Sequence, residues 1–393
     1  MKPLDSRIRE FMLKDGVDIV LAQSPENFAY VSGFSAHQHA VSRQPGFACA
    51  IVSLTGHQTI LIGMDFETPS FDNRNFDVRS FSTWVGNRTL RQINENLISA
   101  PFVTMLEQLV ESIVGLGAMS KVIGIEMEYL PAQFYLQLLK RLPDAQFVDV
   151  SRMFLQARVT KQPHEIEFMR KLIRISDEAL LDSSKLAKEG VMESELFRHY
   201  CQKVMASGIA FPSGWSSFTA GANAGKLGRS QHYRVTAKDV IKFDGGVNGD
   251  TKFYTTDFSR SWLMSDVDPW LIKIKQNLIG AHALMLDAIK PGISFKKLFH
   301  IGFDFTAKEF PFYQRGHLGH SISMGPQTAE FPFISSNQEG VLEPGMILAV
   351  ENPMYITGFN GFNIEDMVLI TEDGFELLTP LTPHWLESES KYR

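Results

Sequence analysis

The chain has 393 residues, of which 44% are hydrophobic and 21% charged, and 38 Lys and Arg against 44 Asp and Glu give a net charge of −6. This composition predicts a globular protein with a large core and excludes collagen, a coiled coil or a disordered chain as the dominant class. The acidic excess argues against a nucleic acid or an anionic membrane as a partner. Two cysteines exclude a disulfide framework and a thiolate zinc site, so any metal ligands must be carboxylates and imidazoles.

The N-terminal segment mixes acids with bases, and no apolar run follows it, which is not the pattern of a secretory signal. No stretch approaches the ~20 uninterrupted apolar residues of a membrane span. We therefore expect a cytoplasmic protein.

The first half of the chain alternates short helix and strand patterns. We expect helices at 8–14 and 132–142, paired strands at 47–52 and 58–62, and further strands at 18–22 and 121–126. Ser24 or Asn27 is expected to cap a helix, because a short side-chain oxygen accepts a free first-turn N–H. This alternation predicts an α/β layer.

The pattern breaks between residues 149 and 165, and we place a domain boundary there, giving domains 1–157 and 158–393. The second domain is expected to begin with a long helix from about 165 toward 188. Two more helices are expected at 270–289 and 295–309, with strands from 240 onward and within 346–378.

Two aspartates, Asp244 and Asp257, lie at the ends of apolar, strand-like runs. An unpaired carboxylate there would carry a large desolvation cost, so each needs a cation or a dense set of hydrogen bonds. Glycines at 245, 246 and 249 predict a hairpin that folds one aspartate toward the other. Taken singly, each aspartate is more simply interpreted as a turn cap.

Downstream, two imidazoles and two glutamates complete a candidate metal set. His317 and His320 lie among glycines, and Glu351 and Glu365 each close an apolar run where a charge is costly. Asp366 must point to the opposite face of a strand from Glu365, so we select Glu365. The order Asp, Asp, His, Glu, Glu suits two divalent ions, with Mn, Co, Fe and Zn all feasible.

The sequence resembles the pita-bread metallohydrolases, a family that includes prolidase, aminopeptidase P, methionine aminopeptidase and the metal-free creatinase. The matching segments are 24–34, 158–169, 243–246, 257–260, 319–320, 343–351 and 364–374. The resemblance implies an α/β (α+β) protein with an N-terminal creatinase-like mixed-sheet domain and a C-terminal pita-bread catalytic domain. It also implies a homodimer in which segment 33–39 is the candidate lid over the partner's site.

By position, the resemblance implies that Asp244 binds one metal, that Asp257 and Glu365 bridge both, and that His320 and Glu351 complete the second. Two cations sharing a water would lower its pKa so that hydroxide forms near neutral pH. Glu351 is placed to shuttle the proton. Creatinase lacks this ligand set, so the presence of all five ligands in this chain implies a metal-dependent enzyme.

One departure from the family concerns the metal ligands. The two aspartates are 257 − 244 = 13 positions apart, two more than the usual family spacing. Asp250 is therefore an alternative ligand, but Asp257 keeps the Ser-Arg context that follows the family ligand, and we prefer it.

The other departures concern the substrate side. Gln327 stands where peptidases of the family have a His, Asn363 where they have an Arg, and His317 is one position from their outer His. We take these three as candidate substrate-binding residues. His232, 12 residues before Asp244, is either a substrate-side catalytic His or a surface residue.

We therefore expect a dinuclear hydrolase that cleaves a peptide bond next to proline, as an Xaa-Pro dipeptidase or aminopeptidase, through a metal-bridging hydroxide. The alternative is a hydrolase or lyase of a non-peptide small molecule, of the creatinase or ectoine-hydrolase kind. A non-catalytic binding relative is disfavoured by the complete ligand set. The expected partner is a small peptide or another small molecule.

Overall fold

The computed structural model describes residues 4–55, 58–95, 102–118, 120–250, 252–325 and 329–392. The chain divides into two compact units, one of residues 1–157 with 251–253 and one of residues 158–250 with 254–393. Both combine helices with β-sheet, which confirms the predicted mixed α/β class. Within the described ranges, no helix has the length and apolar character needed to cross a bilayer.

The first unit is built on a six-stranded sheet. Its strands are β1 Ile19–Ala22, β2 Ala48–Ser53, β3 Ile60–Met64, β4 Asp77–Phe81, β5 Val122–Ile125 and β6 Gln146–Asp149. Its helices are α1 Leu4–Asp15, α2 Pro25–Ser32, α3 His37–Ser42, α4 Leu90–Asn94, α5 Met105–Gly115 and α6 Ala132–Arg141, and α7 Ser151–Val159 spans the division between the units. The strand order is β4-β3-β2-β1-β5-β6, and β2 and β3 form the antiparallel pair predicted from the sequence.

One large core cluster of the first unit lies on one face of this sheet. Alternate residues of the central strands, such as Ile19 and Leu21 of β1, are buried together with Leu109 and Ile113 of α5. Because side chains alternate across a strand, a period of two in the sequence delivers both β1 residues to the same face.

Helix α2 begins at the predicted cap. The Ser24 side chain accepts the N–H of Asn27 at 3.3 Å. Glu126, which follows β5, accepts the Ser24 N–H at 2.9 Å and the Ser24 hydroxyl at 2.6 Å. A buried carboxylate at a helix N-terminus faces free N–H groups and the positive end of the helix dipole, and it fixes this turn to the sheet.

Helix α3 carries a buried histidine from the candidate lid segment. His39 is fully buried, and its Nε2 lies 2.9 Å from the carbonyl oxygen of Gln23. Its ring also meets Phe28 edge to face. Burial lowers the pKa of His39 to about 4, although the Gln23 contact opposes the shift, so this histidine is neutral in the folded protein.

The second unit is built on a larger sheet. Its strands are β7 Ala210–Pro212, β8 Ser217–Ala220, β9 Val240–Gly245, β10 Val247–Gly249, β11 Phe258–Leu263, β12 Gly319–Ser321, β13 Glu330–Phe333, β14 Ile347–Ile356, β15 Asn360–Ile370 and β16 Phe375–Leu377. Its helices are α8 Pro163–Ser184, α9 Glu193–Met205, α10 Pro269–Ala288 and α11 Phe295–Glu309. The eight-stranded sheet has the order β13-β12-β14-β15-β11-β9-β8, with β16 beside β15, and β7 pairs with β10.

Antiparallel pairing sets the register in the centre of the larger sheet. The β14–β15 hairpin pairs continuously from Ile347 with Leu369 to Ile356 with Asn360. Strands β9 and β11 pair from Phe258 with Gly245 to Leu263 with Val240, which is the hairpin predicted from the glycines. These two hairpins meet where Ser259 pairs with Glu365.

Two glycines allow strands to pack closely beside the residues of the candidate site. Gly245, at the end of β9, has a φ of +138°, and a Cβ there would lie 2.3 Å from the Cα of Ser216. Gly319, at the start of β12, has a φ of +141°, and a Cβ would lie 2.4 Å from the carbonyl oxygen of Ala349. L-residues avoid this conformation, so glycine is required at both positions.

His39 makes the stability of the first unit pH-dependent. Its pKa rises from about 4 in the folded protein to about 6.5 on unfolding, so acid favours the unfolded chain, and its contribution is complete above pH 6.5 and lost as pH falls toward 4. Between pH 7 and pH 5 we expect this histidine alone to lower the free energy of unfolding by about 2 kcal/mol. Urea denaturation followed by circular dichroism at both pH values measures the change.

The matched variant is His39→Gln, which keeps a polar side chain but cannot titrate. Its loss of stability between pH 7 and pH 5 should be smaller than that of the wild type by about the same 2 kcal/mol. Equal losses in the two proteins would contradict the assignment.

Candidate metal centre

Three carboxylates lie in one row across the larger sheet. Asp244 of β9 faces Ser259 of β11, Ser259 faces Glu365 of β15, and Glu365 faces Glu351 of β14. Residues directly opposite one another in a sheet place their side chains on the same face. The register alone therefore gathers three acids that are up to 121 positions apart in the sequence.

Asp257 and His320 join the same face. Asp257 lies two residues before Ser259, and His320 pairs with Ala349, two residues before Glu351. The Nε2 of His320 is 3.8 Å from Oδ2 of Asp257. Asp257, His320 and Glu365 are buried, and each offers one ligand atom within 4.8 Å of the others, a separation that a single ion can bridge.

The imidazole of His320 is oriented for metal binding. Its Nδ1 lies 3.0 Å from the carbonyl oxygen of Ser321. A proton on Nδ1 donates to that carbonyl and leaves a lone pair on Nε2, which is the usual arrangement of a metal-ligating histidine. Burial lowers the pKa of His320, which keeps the ring in the neutral form that a metal requires.

Glu351 contacts three polar side chains. Its Oε1 lies 3.1 Å from a guanidinium nitrogen of Arg315 and 3.1 Å from Nδ1 of His317. The amide nitrogen of Asn363 donates a hydrogen bond to Glu351 at 3.3 Å and another to Glu365 at 3.0 Å. Burial alone would raise the pKa of Glu351, but His317 and Arg315 lower it to about 2, so this side chain is ionised.

The other end of the row holds a lysine. Lys242, two residues before Asp244 on β9, places its ammonium 3.8 Å from Oδ2 of Asp244. Burial raises the pKa of Asp244 despite this neighbour. Burial and then the repulsion from Asp257 and Glu351 raise the pKa of Glu365 well above its usual value. Such a cluster calls for added positive charge, and its oxygen and imidazole donors fit divalent metal ions.

The back of the sheet holds a separate set of contacts. Asp366 points away from Glu365, as strand alternation predicts. It accepts a hydrogen bond from Arg260 at 2.8 Å, and it lies 2.9 Å from Nε2 of both His282 and His384. Arg260 also donates to the carbonyl oxygens of Glu365 and Thr379. This buried network fixes β11 and β15 beside each other.

The structure brings together Asp244, Asp257, His320, Glu351 and Glu365, and it places the side chains of His317 and Asn363 against the glutamates. Asp250, the alternative to Asp257, is exposed. His232 is also exposed, and its Nδ1 lies 3.5 Å from the hydroxyl of Ser194, so the structure gives it a surface position. Gln327 lies outside the described residues.

Lys242 and Arg315 are residues of this centre that reasoning from the sequence missed. Lys242 did carry a signal: it is a charged residue in an apolar strand, two positions from Asp244 and hence on the same face. Arg315 gave no such signal, because only the fold places it beside Glu351.

Two family descriptions match the chain. Metallopeptidase family M24 matches residues 167–372, which include all five candidate ligands, and the Creatinase/Prolidase N-terminal domain matches residues 6–160. An uncharacterized peptidase of Staphylococcus aureus is 30% identical over 257 residues, which make up 65% of this chain and 72% of that protein.

Solved structures share the fold over almost the whole chain. The prolidase from Pyrococcus horikoshii superposes with a TM-score of 0.76 at 23% identity, covering 97% of this chain and 98% of that one. An Xaa-Pro dipeptidase from Bacillus anthracis gives a TM-score of 0.80 at 20% identity, covering 98% of this chain and 99% of that one. At these identities the comparisons establish the fold.

Metal binding should stabilise the protein, and more so at higher pH. The raised pKa values mean that Asp244 and Glu365 bind protons more tightly in the folded protein, so the metal-free protein loses stability as pH rises. The affinity for a metal ion increases with pH, because these carboxyl groups must lose their protons to bind it. Added Mn²⁺ or Zn²⁺, at one constant concentration equal to 100 times its Kd at pH 7, should stabilise by about 2.7 kcal/mol at that pH and by more at pH 8. Differential scanning fluorimetry of metal-free protein from pH 5.5 to 8 measures the change in Tm.

Two glutamine variants test where the ions bind. Glu365→Gln should lose most of the metal-induced rise in Tm, because it removes a central ligand. Glu376→Gln, on the neighbouring strand β16 and paired at the surface with Arg170, should keep it. A Tm that does not respond to metal at any pH would contradict a metal centre here.

Proposed function

The chain belongs to metallopeptidase family M24, and from that premise we propose that it is a metal-dependent peptidase that cleaves the peptide bond next to proline. The observation that carries the proposal is the set of four carboxylates and one imidazole on one face of the sheet. The shared fold with a prolidase and an Xaa-Pro dipeptidase supports this substrate class.

In this proposal domain 158–393 is catalytic, and its five ligands hold two divalent ions, with Mn, Co, Zn and Fe all compatible with the donors. Such ions supply an activated water and a polarised substrate carbonyl. The cytoplasmic location and the homodimer expected from the sequence stay predictions.

The protein's own residues supply the proton transfer. Glu351 is held ionised by its neighbours, so it is able to accept a proton from an attacking water. His317 lies 3.1 Å from the same carboxylate and is 33% exposed. We assign it the role of passing that proton between Glu351 and solvent. Asn363, which donates to both glutamates, keeps their oxygens oriented.

One observation favours a second candidate function, in which the enzyme is a hydrolase or a lyase of a non-peptide small molecule. The substrate-side histidine expected upstream of Asp244 lies at the surface, because His232 is exposed near Ser194. A pocket without that donor would recognise a proline-containing peptide less well than the family pattern implies.

An activity panel separates the two functions. Metal-free protein loaded in turn with Mn²⁺, Co²⁺, Zn²⁺ or Fe²⁺ is offered Xaa-Pro dipeptides, Xaa-Pro-Yaa tripeptides and matched Xaa-Ala dipeptides, and released amino acids are quantified. We expect turnover of the proline peptides and little of the Xaa-Ala controls. Absence of turnover with every ion would rule out the peptidase and leave the small-molecule function.

Asp257→Ala tests whether Asp257, rather than Asp250 in the same connection between β9 and β11, is a metal ligand. Its kcat/KM should fall by more than about 100-fold, since even residues behind the metal ligands typically contribute 10–100-fold. Asp250→Ala removes the exposed aspartate that the sequence left as the alternative, and it should keep wild-type activity. The reverse result would exchange their roles.

A further inference from the structure

Two imidazoles converge on one carboxylate on the back of the larger sheet. Nε2 of His282, on α10, and Nε2 of His384 each lie 2.9 Å from Oδ2 of Asp366. The three side chains offer ligand atoms that all lie within 4.8 Å of one another. Asp366 points to the opposite face of β15 from Glu365, so this cluster is separate from the candidate metal centre on the front face.

The surroundings of His282 direct a lone pair at this carboxylate. Nδ1 of His282 lies 3.4 Å from Oδ1 of Asn352. Because that amide oxygen is an acceptor, the proton of the neutral ring is placed on Nδ1, and Nε2 carries the lone pair. That lone pair faces a carboxylate oxygen at 2.9 Å, and a cation between the two atoms turns their repulsion into attraction. A hydrogen bond on the second ring nitrogen is also the usual arrangement of a metal-ligating histidine.

The other oxygen of Asp366 is held by two donors. Arg260 donates a hydrogen bond to Oδ1 at 2.8 Å, and the hydroxyl of Thr379 donates another to the same oxygen at 2.8 Å. These contacts leave Oδ2 to the imidazoles, as in metal sites whose ligating carboxylates are themselves hydrogen-bonded. Because the guanidinium also repels a cation, we expect an ion to need both imidazoles.

The position of His384 is set by contacts outside its ring. It lies in segment 379–386, which follows β16. Two residues earlier, the N–H of Thr382 donates to Oδ1 of Asp177 at 3.0 Å, and the Thr382 hydroxyl donates to the carbonyl oxygen of Asp177 at 2.9 Å. A ligand that is already positioned costs little conformational entropy when an ion binds. The His384 side chain is 21% exposed, which gives an ion access from solvent.

The donors and their separations define the class of ion. Two imidazoles and one carboxylate are a donor set that binds borderline divalent ions such as Fe²⁺, Co²⁺, Ni²⁺ and Zn²⁺. At ligand distances of about 2.1 Å, a nitrogen and an oxygen that are 2.9 Å apart subtend an angle of about 90° at the ion. This angle belongs to six-coordinate rather than tetrahedral geometry, which favours Co²⁺ or Ni²⁺ over Zn²⁺.

We propose that His282, His384 and Asp366 bind one borderline divalent metal ion on the back of the larger sheet. The ion joins three elements, α10, β15 and segment 379–386, and its role is structural. This site does not depend on the proposed function, because its three ligands face away from the front-face centre and no substrate takes part.

Isothermal calorimetry of metal-free protein with Co²⁺ alone tests this inference. His384→Gln should weaken one binding event by more than about 100-fold, since even residues behind metal ligands typically contribute 10–100-fold. Asp257→Ala removes a candidate ligand of the front face and should still bind at least one ion, and adding His384→Gln to it should remove one further ion. His300→Gln changes an exposed histidine of α11 and is the matched control, which should bind as the wild type does.

An Asp257→Ala protein that binds no Co²⁺ would overturn the inference without any change at the back of the sheet. A His384→Gln protein that binds as many ions as the wild type, with the same affinities, would also overturn it. Circular dichroism verifies that each variant is folded, and His282→Gln, which should lose the same ion, tests the site from α10. The readout is ion binding, so the absence of Xaa-Pro turnover would contradict the peptidase and leave this site standing.

Discussion

Electrostatic repulsion among four carboxylates on one face of a sheet is the constraint on which this structure depends. Asp244, Asp257, Glu351 and Glu365 converge where burial penalises each charge, and like charges at this distance disfavour one another's ionisation. Such a cluster is stable in a folded protein only when cations or bound protons compensate for its charge. The protein supplies part of that charge itself, and divalent ions bound at this candidate centre would supply the remainder.

The sheet keeps these acids together against their repulsion. On the back of β15, Asp366 accepts from Arg260, and the same guanidinium donates to the carbonyl oxygen of Glu365. Hydrogen bonds to a charged donor are the stronger kind. The contact therefore fixes the strand that carries Glu365, so an ion bound on the front face would have only to compensate for charge.

Reasoning from the sequence could find the candidate ligands because each carries a local signal. A charge that closes an apolar run, such as Glu351 or Glu365, is visible without a fold, and the order of five ligands adds the family context. His232 and Asp250 were candidates because of their positions relative to Asp244 and Asp257, yet both are exposed. Whether a residue in a loop reaches a site depends on the path of the backbone, which residue types and spacing do not specify.

The sequence by itself determined the α/β class, most helices and strands, and the chemistry of the donors, because periodicity and residue type are local properties. Only the tertiary structure decided which cations stand beside those donors. Arg315 reaches Glu351, 36 positions away, and Tyr355 covers Lys242 from a different strand. The contact of Tyr355 with Lys242 arises from the register of β9, β11, β15 and β14, and register follows from the packing of the whole sheet. The contact of Arg315 depends on the path of the loop before β12.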